Sequence, residues 1–333
     1  MHLKLPKSVS ALMRQQRSLQ RAMTRVAENA GWLIDEPKPR PASRNTPRLL
    51  EVTGFGHNPG HLRMLAYAPS QLLPNAPLVV VLHGCKQTAE EFDQASEWTK
   101  LARKHGFAVL YPEQRSSNNP NLCFNWFRPS AVAEDRGELG SIRQMIDWMI
   151  EHHGLDGNAV QVVGLSAGGA MAAALLAVYP HRFKAGAIVG GLPFGGARDA
   201  MAALSMMRQA PQKSATEWAG LVRQASPDAA VWPEISIWHG DADDVVDPGN
   251  GKALVSQWLG LNGLEDTSPQ RETLAGGEML VWKDEAGKRR VEFAALHGFG
   301  HGFPVGPNQK SQPFMLAFPW SLSHLLVKKW DLS

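Results

Sequence analysis

Strand-like and helix-like patterns alternate through most of the 333-residue chain. Leu78-Val-Val-Val-Leu82 is apolar without a break, as a strand covered on both faces must be, and Val160-Gln-Val-Val-Gly164 is nearly so. Leu62–Ala68, Ala108–Tyr111, Ala185–Val189, Glu234–Trp238 and Val291–Ala295 read as further strands. Between them the chain reads as helix over Phe92–His105, Gly168–Tyr179, Gly251–Leu261 and Phe314–Lys328. Gly140–His152 reads the same way, with Ile142, Met145, Ile146 and Met149 on one face. The repeated alternation predicts an α/β fold with a mostly parallel central sheet and helices on both faces. Pro193–Pro233 fits no strand–helix unit and predicts a small helical cap insertion.

Before this body, Leu12, Leu19, Met23, Val26 and Ala30 predict an amphipathic helix over residues 8–32. Glu36–Pro47 carries four prolines and reads as a tether. The organisation expected is therefore an arm and tether over 1–48 and a folded domain over 49–333, with 193–233 as the cap. An arm of this kind offers a surface for homo-oligomer formation.

Composition narrows the function classes. With 44% hydrophobic and 20% charged residues the chain has material for a large core and too little charge for disorder. A formal net charge of +3 is too small to argue for a nucleic-acid partner. No window is apolar enough for a membrane span, and Met1–Arg25 lacks the apolar core and cleavage site of a signal peptide. Two cysteines, Cys85 and Cys123, are too few for a disulfide scaffold and lack zinc spacing, so no metal or cofactor is expected.

Gly164-Leu165-Ser166-Ala167-Gly168 falls between a strand and an Ala-rich helix. That context turns a common five-residue pattern into a candidate nucleophile elbow, in which flanking glycines let the chain turn sharply under an exposed serine. A serine hydroxyl needs a base, and the base needs a carboxylate to orient it. Downstream, in the order such a fold uses, come His239-Gly-Asp241-Ala-Asp243-Asp244 and His297-Gly-Phe-Gly-His301, both in loops after strands. Spacing alone leaves His297 beside His301, and leaves a calcium loop built on Asp241, Asp243, Asp244 and Asp247 as a weaker alternative because Val245 and Val246 interrupt it. His83 and His239 are equally open to purely structural roles. His83-Gly84-Cys85, after the strand Leu78–Leu82, stands where lipases and esterases place one oxyanion donor; the backbone N–H groups of Cys85 and Ala167 are the candidates.

Six segments resemble the polyhydroxybutyrate-depolymerase-type esterases, an α/β-hydrolase branch close to the carbohydrate-esterase family 1 feruloyl and acetylxylan esterases. They are Leu82–Gln87, Cys123–Phe127, Arg136–Glu138, Val163–Met171, His239–Asp243 and Gly300-His301. The resemblance implies an α/β-hydrolase fold and a serine esterase acting through an acyl-enzyme, with Ser166 as nucleophile, Asp243 as acid and His301 as base. It implies a pocket near His83, Trp126 and Phe303, a small ester or oligoester substrate, and an extracellular or periplasmic setting. Cys85 and Cys123 both lie in these segments and beyond strand ends on the catalytic edge, which makes a disulfide between them an expectation. Phe303 and Phe124 depart from the aromatic pattern frequent in the family, which bears on substrate choice. With the chain ending at Ser333, the expectation is soluble or oligomeric esters in preference to crystalline polymer, with short acyl chains favoured. Aryl esters of plant polysaccharide and a polyaspartate-like amide are the alternatives, and a scaffold without chemistry fits poorly.

Overall fold

The computed structural model describes residues 48–309 and 312–332. The helix expected over 8–32 and the tether lie outside the described residues, as does any oligomer contact they make.

Twelve strands are present among the described residues. In chain order they are β1 (Leu50–Val52), β2 (Arg63–Tyr67), β3 (Leu78–Leu82), β4 (Ala108–Glu113), β5 (Val160–Leu165) and β6 (Ala185–Val189), then β7 (Glu234–Gly240), β8 (Gln270–Leu274), β9 (Gly277–Lys283), β10 (Arg289–Leu296), β11 (Phe303–Val305) and β12 (Met315–Ala317). The first ten form one sheet in the order β1-β2-β4-β3-β5-β6-β7-β10-β9-β8, and β11 pairs with β12 separately. From β4 to β10 the pairing is parallel, and both flanks are antiparallel. The α-helices among the described residues are α1 (Ala89–Ser96), α2 (Trp98–His105), α3 (Gly137–His153), α4 (Ala167–Val178), α5 (Ala200–Arg208), α6 (Ala215–Ala225), α7 (Gly249–Asn262) and α8 (Leu322–Lys329).

The uninterrupted apolar strands follow from this layering. Leu78, Val80 and Leu82 point to the layer of α3, α4 and α7, where Ile142, Met145 and Trp258 are buried with them. Val79 and Val81 point to the other layer and meet Phe92, Trp98, Leu101, Leu322 and Leu326. Each such side chain contributes about 1.5–3 kcal/mol on burial, so the central parallel strands anchor the sheet. Every residue of α4 is buried, and its run of glycine and alanine lets it lie close against β5 and β6.

Several elements differ from the sequence expectation. Phe92–His105 is two helices, broken at Glu97 in the left-handed region (φ 63°). Buried Asp93 explains the break: its carboxylate accepts the Thr99 N–H (2.9 Å) and Thr99 hydroxyl (2.5 Å), capping α2, and also the Tyr111 hydroxyl (2.9 Å). Over Phe314–Lys328 the chain first forms β12, and the helix starts only at Leu322, after Pro319. The antiparallel flanks β1, β8 and β9 were not expected; they are half polar and partly exposed.

The stretch 193–233 contains α5 and α6. Asp199 caps α5, and Ser214 with Glu217 forms a capping box on α6. Helix α6 lies on α7, where Arg223 donates to the Gly260 carbonyl (2.8 Å) and Gln257 to that of Trp218 (3.2 Å). Met206 and Trp218 are buried with Phe127 and Val246.

Strand β3 lies between β4 and β5, so the connections leaving it and returning diverge and a crevice opens at the carboxyl ends of the parallel strands. The loops following β3, β5, β6, β7 and β10 all emerge there. They carry His83–Gln87, Ser166, Gly190, Asp241–Asp247 and His297–His301.

Candidate active site

Ser166 links β5 directly to α4 with φ 57° and ψ −118°. A non-glycine residue there costs about 1–3 kcal/mol and persists only where its surroundings enforce it. Two glycines supply the room. A Cβ on Gly164 would lie 2.2 Å from the Gly168 carbonyl oxygen, and one on Gly168 would lie 2.4 Å from that of Leu82. The backbone N–H of Ser166 donates to the Val189 carbonyl at the end of β6 (2.8 Å), fixing the turn. The serine sits at the N-terminus of α4, with the Ala167 N–H beside it.

His301 and Asp243, 58 residues apart in the chain, meet at 2.7 Å between Nδ1 and Oδ2, and both are buried. His301 lies over Gly190, whose own Cβ, if present, would be 3.2 Å from the ring and 3.6 Å from Asp243 Oδ2. Ser166 is tied to Val189 and the imidazole rests on Gly190, so the same strand end carries both. With Nδ1 committed to the carboxylate, Nε2 is the nitrogen left for a serine proton. Asp243 Oδ1 accepts the N–H groups of Val245 (2.9 Å) and Val246 (2.8 Å). Its Oδ2 also faces His239 Nε2 at 3.3 Å. Burial pushes the Asp243 pKa up, but hydrogen bonds from His239 and His301 outweigh it and hold the group well below the usual carboxylate range.

His83, expected at the pocket, is instead fully buried and lines no surface. Its Nε2 accepts the Gln114 N–H (3.1 Å), which leaves Nδ1 to donate to the Gly84 carbonyl (2.7 Å). That carbonyl shares a peptide unit with the Cys85 N–H. In a trans peptide the two dipoles point opposite ways, so a carbonyl held by His83 turns the Cys85 N–H away from the ring. Gln87 closes the same turn by accepting the Gly84 N–H (2.8 Å). Burial keeps His83 down to about 4, so the imidazole remains neutral in this role. Cys85 is joined to Cys123 by a disulfide, and Lys86 N–H donates to the Asn121 carbonyl beside it (2.7 Å).

The sequence expectation also placed Phe303 at the pocket. It is instead fully buried in the opposite helix layer, 5.1 Å from the Phe92 ring, because β11 turns it inward. Trp126 is half-buried, edge-on to Phe127 at 5.6 Å, and packs with the α5–α6 cluster. His297 pairs instead with Asp241 (3.1 Å) in an exposed position, and Asp247 caps the Gly249 N–H (2.8 Å), so the aspartates of the loop diverge. Among the described residues no three ligating side chains converge as a metal site.

Sequence reasoning missed Gln114 and gave Glu138 no role. Gln114 donates to Glu138 (2.8 Å) and to the Cys123 carbonyl (3.1 Å), while Glu138 also accepts the Asn125 N–H (2.8 Å). Together they bind the Cys123 loop to the turn at His83. Arg136-Gly137-Glu138 was visible as a family segment, but nothing local marks Gln114. A groove of about 630 Å³ lies at the other end of the sheet, bordered by His181, Lys184, Trp232 and Arg290, away from this site.

A model of the esterase PHB depolymerase family matches residues 63–279. Poly(3-hydroxyalkanoate) depolymerase C of Paucimonas lemoignei is 41% identical over 260 residues, covering 78% of this chain. The match spans only 63% of that relative's length. Feruloyl esterase B of Talaromyces stipitatus is 32% identical over 266 residues, covering 77% of this chain and 73% of that one. A solved acetyl xylan esterase from Aspergillus awamori superposes with a TM-score of 0.74 at 24% identity, covering 86% of this chain and all of that one. At that identity the likeness is one of fold, and the fold is that of the α/β-hydrolases.

Proposed function

The chain belongs to the esterase PHB depolymerase family, and from that premise we propose that it hydrolyses carboxylic esters through an acyl-enzyme on Ser166. The observation that carries the proposal is the buried Asp243–His301 pair on the same strand end as the strained serine. His301 Nε2 takes the Ser166 proton as Oγ attacks the carbonyl carbon. The developing oxyanion is received by the N–H groups of Cys85 and Ala167. The imidazolium then gives its proton to the leaving alcohol, and water repeats the sequence to release the acid and restore the serine.

In this reading the acyl side of the cleft is bounded by Trp126, Met207 and Val245, which are half-buried on one cluster with Val246 of the loop that carries Asp243. Met206, Trp218 and Trp232 are taken up in helix packing and do not add to it. A wall backed by packed helices favours short acyl groups and hydroxyalkanoate oligomers. The Cys85–Cys123 bridge supports work in an oxidising, extracytoplasmic compartment.

A fluorophosphonate probe should label Ser166, and kcat/KM on p-nitrophenyl esters should be highest from acetyl to butyryl and fall by octanoyl. Absence of labelling would overturn the serine mechanism. A profile flat or rising to dodecanoyl would overturn the narrow acyl wall, and preference for methyl ferulate over hydroxybutyrate trimers would replace the oligoester reading by an aryl-ester one.

A further inference from the structure

His239 is the penultimate residue of β7, four residues before Asp243, and its ring is buried. Among the described residues Nδ1 has no hydrogen-bond partner. It lies against Gly251 at the start of α7 and beside Phe293 of β10, with no acceptor for a hydrogen. All the polar contacts of the ring are on Nε2, which is 3.0 Å from the Val246 carbonyl and 3.3 Å from Asp243 Oδ2. A carbonyl only accepts, so Nε2 carries the hydrogen and shares it between the two oxygens.

We propose that His239 is a positioning residue for the triad: its Nε2–H is a second fixed donor to the carboxylate oxygen that holds His301. The inference rests on the ester-hydrolase reading of the site. Asp243 is then anchored at both oxygens, by Val245 and Val246 on Oδ1 and by His239 on Oδ2, independently of His301. The anchoring has two consequences. The carboxylate cannot rotate when the imidazole gains and loses its proton during turnover. Part of its negative charge is also drawn toward His239, which limits how strongly it stabilises the imidazolium. The titratable groups facing this carboxylate are the two imidazoles, His239 from β7 and His301 from the loop after β10. Asp241 and Asp247 of the same loop turn to His297 and to the Gly249 N–H.

Replacing His239 by Leu removes the donor while keeping an apolar filling. His239→Leu should lower kcat about tenfold, the scale of one hydrogen bond to a charged group, with little change in KM. The pH at which kcat/KM reaches half its plateau should move up by about half a unit, because the carboxylate then holds the imidazolium more tightly. His239→Gln, whose amide N–H reaches the same place, should recover most of the rate and the original pH profile. A loss of folding stability in His239→Leu with an unmoved pH profile, or failure of Gln to restore what Leu loses, would overturn the proposal. Should the Leu variant not fold, nitrogen NMR of the wild-type imidazoles decides: His239 must show the Nε2–H tautomer at pH 7, and the Nδ1–H tautomer sinks the idea. Labelling of Ser166 by fluorophosphonate in the same preparations tells failure of this role from failure of the esterase reading itself.

Discussion

At φ 57° Ser166 occupies backbone space that a side chain resists, and the surrounding glycines and the Val189 carbonyl hold it there. The conformational cost and the chemistry are therefore separable by substitution. Ser166→Ala and Ser166→Gly should both lose activity by about 10⁵-fold or more. The glycine variant, free of the Cβ penalty, should be more stable than the alanine variant by about 1 kcal/mol in denaturant unfolding; equal midpoints would mean the elbow is not strained. The two aspartates of the acid loop separate in the same way. Asp243→Asn deprives His301 of its orienting partner and should cost about 10⁴ in kcat. Asp241→Asn removes a solvent-exposed contact to His297 and should change kcat by less than about threefold, a surface pair being worth under about 1 kcal/mol. The reverse order, read by steady-state kinetics, would reassign the acid.

Among the elements, the turn after β3 is held from three directions: by His83 beneath, by Gln87 within, and by the disulfide to the Cys123 loop. The bridge closes a separation of 38 residues, which corresponds to about 4 kcal/mol in the chain-entropy view. Reduction, verified by intact mass, should lower the unfolding midpoint and reduce kcat more than it raises KM, because the proposed mechanism uses the Cys85 N–H in the transition state. An unchanged kcat would assign that positioning to His83 and Gln87 alone. Much of this level was legible in the sequence. The parallel strands declared themselves as apolar runs, and the triad candidates by their order along the chain. The break at Glu97 was not legible, since no glycine or proline marks it and its cause is a side chain, Asp93, reaching forward to Thr99. The edges β8 and β9 were hidden because one exposed face dilutes the apolar signal. Gln114 and His239 matter through space, and their partners lie 24 residues away in one case and across a turn in the other.

For the molecule as a whole, buried ionisable groups set how stability follows pH. His83 is held down to about 4 in the fold, while in the unfolded chain it titrates near 6.5. Its contribution is complete above pH 6.5 and is lost as pH falls toward 4, where only the unfolded form takes up the proton. Asp243, also depressed, adds a loss of the same sign at lower pH. Asp93 and Glu138, raised by burial, favour the fold as pH falls. Comparing wild type with His83→Gln cancels these shared effects. Between pH 7 and 5 the wild type should lose about 2 kcal/mol more than the variant in urea unfolding; equal losses would show that His83 is charged in the fold. The sheet order has a further consequence, for synthesis. Strand β10 is inserted between β7 and β9, although β8 and β9 precede it in the chain, and β9 reaches the sheet only through β10. A nascent polypeptide that has emerged only to Asp284 therefore presents β7 as a bare parallel edge, with a hairpin that has nothing to dock on. Such edges recruit other chains, so a fragment ending there should sediment as aggregate where the full chain stays dispersed. His301 lies just beyond β10, so the last strand to join the main sheet both seals its edge and brings His301 to the crevice.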